Sequence, residues 1–145
     1  VGFFFKNLVR FLMWSFKEKI RSFTSDEMAC RHCPHCGGIS DMDESFMVKL
    51  QELRDACDFP LPVNSGYRCL QKNIDSGGHK KSGHLDQGSG AMACDLRVDR
   101  AKARVVVKKA IEMGFSVGIQ QKGTARYVHV DSKPRESGPA FWSYP

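Results

Sequence analysis

Apolar side chains recur at helical spacing in three stretches of the chain and alternate with polar ones in its second half. In residues 1–22, Phe4, Leu8, Leu12 and Phe16 fall on one stripe, with Lys6, Arg10 and Lys17 elsewhere on the wheel, predicting a basic amphipathic helix. In residues 41–57, Asp41-x-x-Glu44 reads as a capping box ahead of a stripe formed by Phe46, Leu50, Leu53 and Cys57. Asp99 is placed to cap a third helix over about 100–113. Its inner face would be Ala103, Val106, Val107, Ala110 and Ile111, and Gly114 would stop it. Leu61-Pro62-Val63 predicts a short extended segment. Strands follow at 115–119 and 126–131, joined as a hairpin. In the second strand Tyr127, His129 and Asp131 share one face, while Val128 and Val130 face the core.

These elements describe an α+β domain over 23–145 with a small antiparallel sheet and flanking helices, preceded by a basic extension over 1–22. With 145 residues and 41% hydrophobic content, one domain with one core is expected, and a monomer. The extension could lie on a membrane surface or pack on its own domain. Its apolar run falls short of the roughly 18–20 residues that span a bilayer. Arg10 would break the core of a signal peptide, and no small-x-small cleavage site is evident. The tail 133–145 carries Phe141, Trp142 and Tyr144, expected to pack across one edge of the domain, with a substrate-facing Trp142 as the alternative.

Charge adds little. The net charge of +6 is spread along the chain, so it signals solubility as readily as a polyanionic partner, and no specific nucleic-acid partner is expected. The cysteines add more. Cys30, Cys33 and Cys36 form a tight C-x2-C-x2-C run in a Gly-rich loop, interleaved with His32 and His35. Spacing leaves three states open: a closed metal site completed by Cys69 or a histidine, a disulfide, for example to Cys69, or reduced thiols. Cys57 and Cys94 read as small buried hydrophobes.

The candidate chemistry lies between residues 65 and 131. Two imidazoles and a carboxylate, His84, Asp95 and His129, are a donor set suited to a catalytic zinc ion, which takes three protein groups and keeps one position open. Arg68, in a polar turn after a strand, reads from its residue type alone as a surface salt bridge or as a guanidinium that grips a substrate carboxylate or carbonyl.

Four segments carry a resemblance: Ser65-Gly66-Tyr67-Arg68, Ser82-Gly83-His84, Ala93-Cys94-Asp95-Leu96 and Tyr127-Val128-His129-Val130-Asp131. Together they resemble the zinc-dependent peptidases of the M15 family, the D-Ala-D-Ala carboxypeptidases and murein endopeptidases that include phage lysins. The resemblance implies a Hedgehog/D-Ala-D-Ala peptidase-like fold and Zn2+ held by His84, Asp95 and His129. It also implies a substrate site at Ser65, Tyr67 and Arg68, a peptidoglycan peptide as substrate, and action at the cell wall or periplasm.

The chain departs from that pattern twice. The family's His-x6-Asp becomes ten intervening residues between His84 and Asp95, as though Asp86-Gln87-Gly88-Ser89-Gly90 were inserted. A Gly-rich insertion can loop out with its ends in place, and His79 is the reserve first donor. The carboxylate that many members carry three residues before the last histidine is Arg126 here. Asp131 is then either the general base or a group that orients an imidazole. Two rival readings are a non-catalytic zinc domain that binds cell wall or a protein, and a zinc protein that binds nucleic acid.

Overall fold

The computed structural model describes residues 14–145. The stripe residues Phe4, Leu8 and Leu12, with Lys6 and Arg10, lie outside the described residues. Phe16 does not: it stacks on Trp14 at 5.3 Å, and both are buried with Ile20 and Phe23 in the main core. Lys19 and Arg21 reach Glu44 and Asp55, which fastens this segment to the long helix behind it.

The chain forms α1 (Ser25–Met28), α2 (Glu44–Cys57), β1 (Val63–Ser65), α3 (Leu70–Asp75) and β2 (Ala93–Leu96). Then come α4 (Arg100–Glu112), β3 (Ser116–Gln120), β4 (Tyr127–Asp131) and β5 (Phe141–Ser143). The helix predicted over 41–57 exists, and Phe46, Leu50, Leu53 and Cys57 are all buried. Its cap is Asp43, not Asp41: the Asp43 carboxylate accepts from Phe46 N, so the helix starts at Glu44. The capping box sits instead on α1, between Thr24 and Glu27. Asp99 precedes α4 without a side-chain cap bond, and Ile111, expected inside, is 51% exposed. Among the described residues no helix is long and apolar enough to cross a membrane.

The sheet has the order β1-β2-β4-β3-β5. Its first four strands are antiparallel neighbours, and β3 and β4 form the predicted hairpin. The tail adds β5 parallel to β3, so the sheet is mixed. A chain returning from β4 through 132–140 enters the far edge in the same direction as β3, which the alternation pattern alone does not reveal.

Register explains where the site must lie. Cys94, Val130 and Val117 stand side by side across β2, β4 and β3, fully buried toward α4 and α2. Phe46 of α2 meets Phe115 edge-on at 6.1 Å in this core. The next row along the same strands is Asp95, His129 and Gly118, on the opposite face because strand side chains alternate. One face of the sheet is thus a hydrophobic floor for helices. The other carries polar side chains on rigid, fully paired backbone.

Candidate metal centre

Each donor is positioned by backbone on this polar face. Asp95 and His129 are paired residues of adjacent strands. His84 comes from the loop after α3, whose path is fixed by hydrogen bonds from Arg68 N to His84 O and from Met92 N to Gly83 O. The three donor atoms lie within 4.8 Å of one another. His79, the reserve donor, is exposed at the cavity rim, where its Nδ1 accepts from Lys81 N.

The insertion loops out without disturbing this. The Asp86 carboxylate accepts from Gly88 N and Gly90 N, and Ser89 Oγ donates to Asp43 at 2.6 Å. A Cβ at Gly90 would lie 2.5 Å from Asp43 N, so the loop packs directly on the start of α2.

The hydrogen bonds assign the ring protons. His84 Nδ1 lies 2.6 Å from the Gly66 carbonyl, which can only accept, so Nδ1 carries the hydrogen. Burial drives the His84 pKa down and favours the neutral ring. Its Nε2 is therefore a bare lone pair, buried without a hydrogen-bond partner and 3.3 Å from Asp95 Oδ1. Burial opposes ionisation of Asp95, but the His129 ring hydrogen-bonded to it at 2.9 Å outweighs burial and holds its pKa below the ordinary carboxylate range. Two acceptors thus face each other in a buried space, an arrangement that a cation between them relieves.

His129 joins from the other side. Its Nδ1 lies 2.9 Å from the same Asp95 oxygen, and its Nε2 is 2.7 Å from Asp131 Oδ2. Burial pushes the His129 pKa down, but hydrogen bonds to Asp131 and Asp95 outweigh it and raise it. With hydrogen on both nitrogens the ring bridges the two carboxylates; a metal ion would take the place of the Nδ1 proton. The donor set, the orphaned Nε2 and the shared oxygen all fit zinc.

Asp131 stands behind His129. It is 1% exposed, and Arg135 Nη1 donates to its Oδ1 at 2.6 Å. Burial raises its pKa, but His129 and Arg135 prevail and bring it to about 2. Asp131 is thus a fixed anion accepting the Nε2–H of His129.

The centre opens into a cavity of about 670 Å³ lined by Arg68, His84, Asp95, His129, Trp142 and Tyr144 among others. Arg68 makes no ion pair among the described residues, and its Nε is buried without a partner. Ser65 and Tyr67, named with Arg68 from the sequence, do not line this cavity. Ser65 pairs through its backbone with Asp95, and Tyr67 packs against the core, its N–H bonded to Met28 O. Gly66 between them has no room for a side chain, since a Cβ would sit 2.8 Å from Met28 Cα.

Trp142 combines the two roles the sequence left open, sheet-edge packing and facing a substrate: it lies on the edge strand β5, and its ring is 5.3 Å from that of His129 and forms a cavity wall. The signal was Gly118. It stands opposite His129 in β4 and beside Trp142 in β5, and a Cβ there would meet the indole at 2.5 Å. Arg126 lies outside the cavity, its Nε donating to Gly123 O in the hairpin turn.

No curated protein matches the chain. A family model described as Peptidase M15 matches residues 21–131, about three quarters of the sequence. The matched span holds all three donors, Arg68 and Asp131. By that match the chain belongs to the peptidase M15 family.

Proposed function

We propose that this peptidase is a zinc enzyme that hydrolyses amide bonds in peptidoglycan stem peptides or their cross-links. One observation carries the reading: the opposed acceptors His84 Nε2 and Asp95 Oδ1, buried at a cavity that also holds the unpaired Arg68. Zinc held by His84, Asp95 and His129 would supply Lewis acidity, polarising a peptide carbonyl and acidifying water.

The chain's own groups supply the rest. Gly66 O keeps the His84 proton on Nδ1, and Asp131 keeps the His129 proton on Nε2, so both inward nitrogens stay free to bind metal. Arg68 offers guanidinium donors to a substrate carbonyl oxygen as it gains negative charge, or to a peptide carboxylate. Arg68, Lys81 and Lys133 give the cavity a cationic rim suited to acidic stem peptides. Trp142 and Tyr144, with rings 6.1 Å apart, form an aromatic wall that limits water on one side. In the net reaction water adds across the C–N bond, hydroxyl to the acyl carbon and hydrogen to the departing amine.

A second reading, a zinc domain that binds such peptides without cleaving them, is favoured by one observation. The carboxylates lining the cavity are Asp95 and Asp131, and both Asp131 oxygens are engaged, by His129 and by Arg135. Digestion of purified peptidoglycan, read by mass spectrometry, separates the two. The enzyme releases new peptide fragments that disappear in His129→Ala and with a chelator, and their masses name the bond. A folded, zinc-loaded protein that retains peptidoglycan but releases nothing is the binding domain.

A further inference from the structure

The loop 31–39 has no helix, no strand and no buried side chain. A segment of that length with no share in the core needs another means of holding its shape. The four cysteines converge there. The sulfurs of Cys30, Cys33, Cys36 and Cys69 all lie within 4.8 Å of one another, although Cys69 is far along the chain. Cys33 Sγ is 3.5 Å from Cys69 Sγ and 3.5 Å from Cys36 Sγ. A disulfide would require about 2.05 Å, and all six cysteines are free. Four thiolates on a tetrahedral zinc ion, with Zn–S about 2.3 Å, have sulfurs about 3.8 Å apart. The cluster already has nearly that size.

The surroundings suit thiolates. Cys36 N donates to Cys33 Sγ and Lys72 N donates to Cys69 Sγ, each at 3.4 Å. Such N–H···S bonds stabilise charge on a metal-bound sulfur. Gly37 and Gly38, both at positive φ, turn the chain back so that Cys30 N meets Ile39 O at 2.8 Å. The nearby His35 is engaged by Asp75 at 3.1 Å, which leaves the fourth position to Cys69. None of the four cysteines lines the peptidase cavity.

We propose that Cys30, Cys33, Cys36 and Cys69 form a second, closed zinc site that staples loop 30–36 to the segment carrying Gly66 and Arg68. As the metal binds, four metal–sulfur bonds replace four S–H bonds and the protons leave to solvent. The site is independent of the His84/Asp95/His129 centre and of whether that centre cleaves anything.

Cobalt substitution tests it, because thiolate-to-cobalt charge transfer absorbs in the near ultraviolet and imidazole or carboxylate donors do not produce that band. The cobalt-loaded wild type should show the band. His129→Ala should keep it undiminished, and Cys33→Ser should weaken or abolish it. Native mass spectrometry of the zinc form should show that His129→Ala still carries a zinc ion. Absence of the band from folded, cobalt-exposed wild type overturns the proposal. So does a mass two hydrogens lower per cysteine pair, which would mean disulfides. Should Cys33→Ser fail to fold, wild type and His129→Ala decide alone. Loss of peptidoglycan cleavage with the band intact would count against the proposed function and leave this site standing.

Discussion

The two donor clusters of this protein differ in where their ligands come from and what lies beside them. The cysteine cluster takes three of its four donors from one seven-residue run, Cys30 to Cys36, and does not line the peptidase cavity. The His84/Asp95/His129 cluster takes its donors from a loop and two paired strands, and one side opens into a cavity. Four soft donors saturate zinc and leave nothing for a substrate, whereas three donors leave a position for chemistry. A site that must react therefore needs the rigidity of a sheet, and a site that only holds the chain can be made from a loop. Arg68 sits at the junction: its neighbour Cys69 belongs to one cluster, and its N–H bonds His84 O beside the other.

That junction gives the test with the largest expected effect. Arg68→Ala should leave the metal content of both clusters unchanged yet lower kcat by about 10²–10³, the usual cost of losing one oxyanion donor. Arg68→Lys should restore only part, because a point charge does not reproduce the planar fork. Kinetics alongside metal analysis check this. A loss of zinc in Arg68→Ala would instead mean that the two clusters are mechanically one.

Much of the candidate metal centre was legible in the sequence, His129 and Asp131 through a local alternation, His84 and Asp95 through the segments that resemble the family. The alternation in Tyr127–Asp131 puts His129 and Asp131 on the face away from Val128 and Val130, and the structure keeps that division. The stripe of α2 was legible for the same reason: a period is a local property. The contacts that were not legible depend on the path of the chain after β4. No period says that Arg135, four residues on, turns back onto Asp131, or that Trp142 crosses Gly118 to reach His129. Ser65 and Tyr67 flank a glycine pressed against Met28, so their side chains turn away from the cavity that Arg68 enters. The cap of α2 slipped from Asp41 to Asp43 because the inserted loop lays Ser89 and Gly90 against that end.

Asp131 sharpens the comparison from within the reactive cluster. As an orienting anion it should act through metal affinity, so Asp131→Asn weakens zinc binding at this centre by about 10–100-fold. Excess zinc should then restore cleavage, and the cysteine cluster should keep its metal. If zinc stays bound and cleavage vanishes, Asp131 is the general base. The same substitution has a pH signature in the metal-free protein. The folded pKa of about 2 lies below the ordinary 3.8, so the stability Asp131 contributes is present above about pH 4 and lost as pH falls toward 2. Acid denaturation of Asp131→Asn should therefore be less steep over that window.

The smallest effect concerns the aromatic wall beside His129. Gly118→Ala puts a methyl group where the Trp142 indole lies, 2.5 Å from its nearest atom, and the ring must move. Overpacking of this kind costs about 1–3 kcal/mol of stability. If Trp142 meets substrate, the displaced ring also raises KM, by less than about tenfold, or under 1.4 kcal/mol, with kcat nearly unchanged. Trp142→Ala should raise KM in the same direction without the packing strain. If both variants lower the melting temperature and leave KM alone, the indole only covers His129 and seals the edge of the sheet. The cavity's specificity would then rest with Arg68 and its cationic rim.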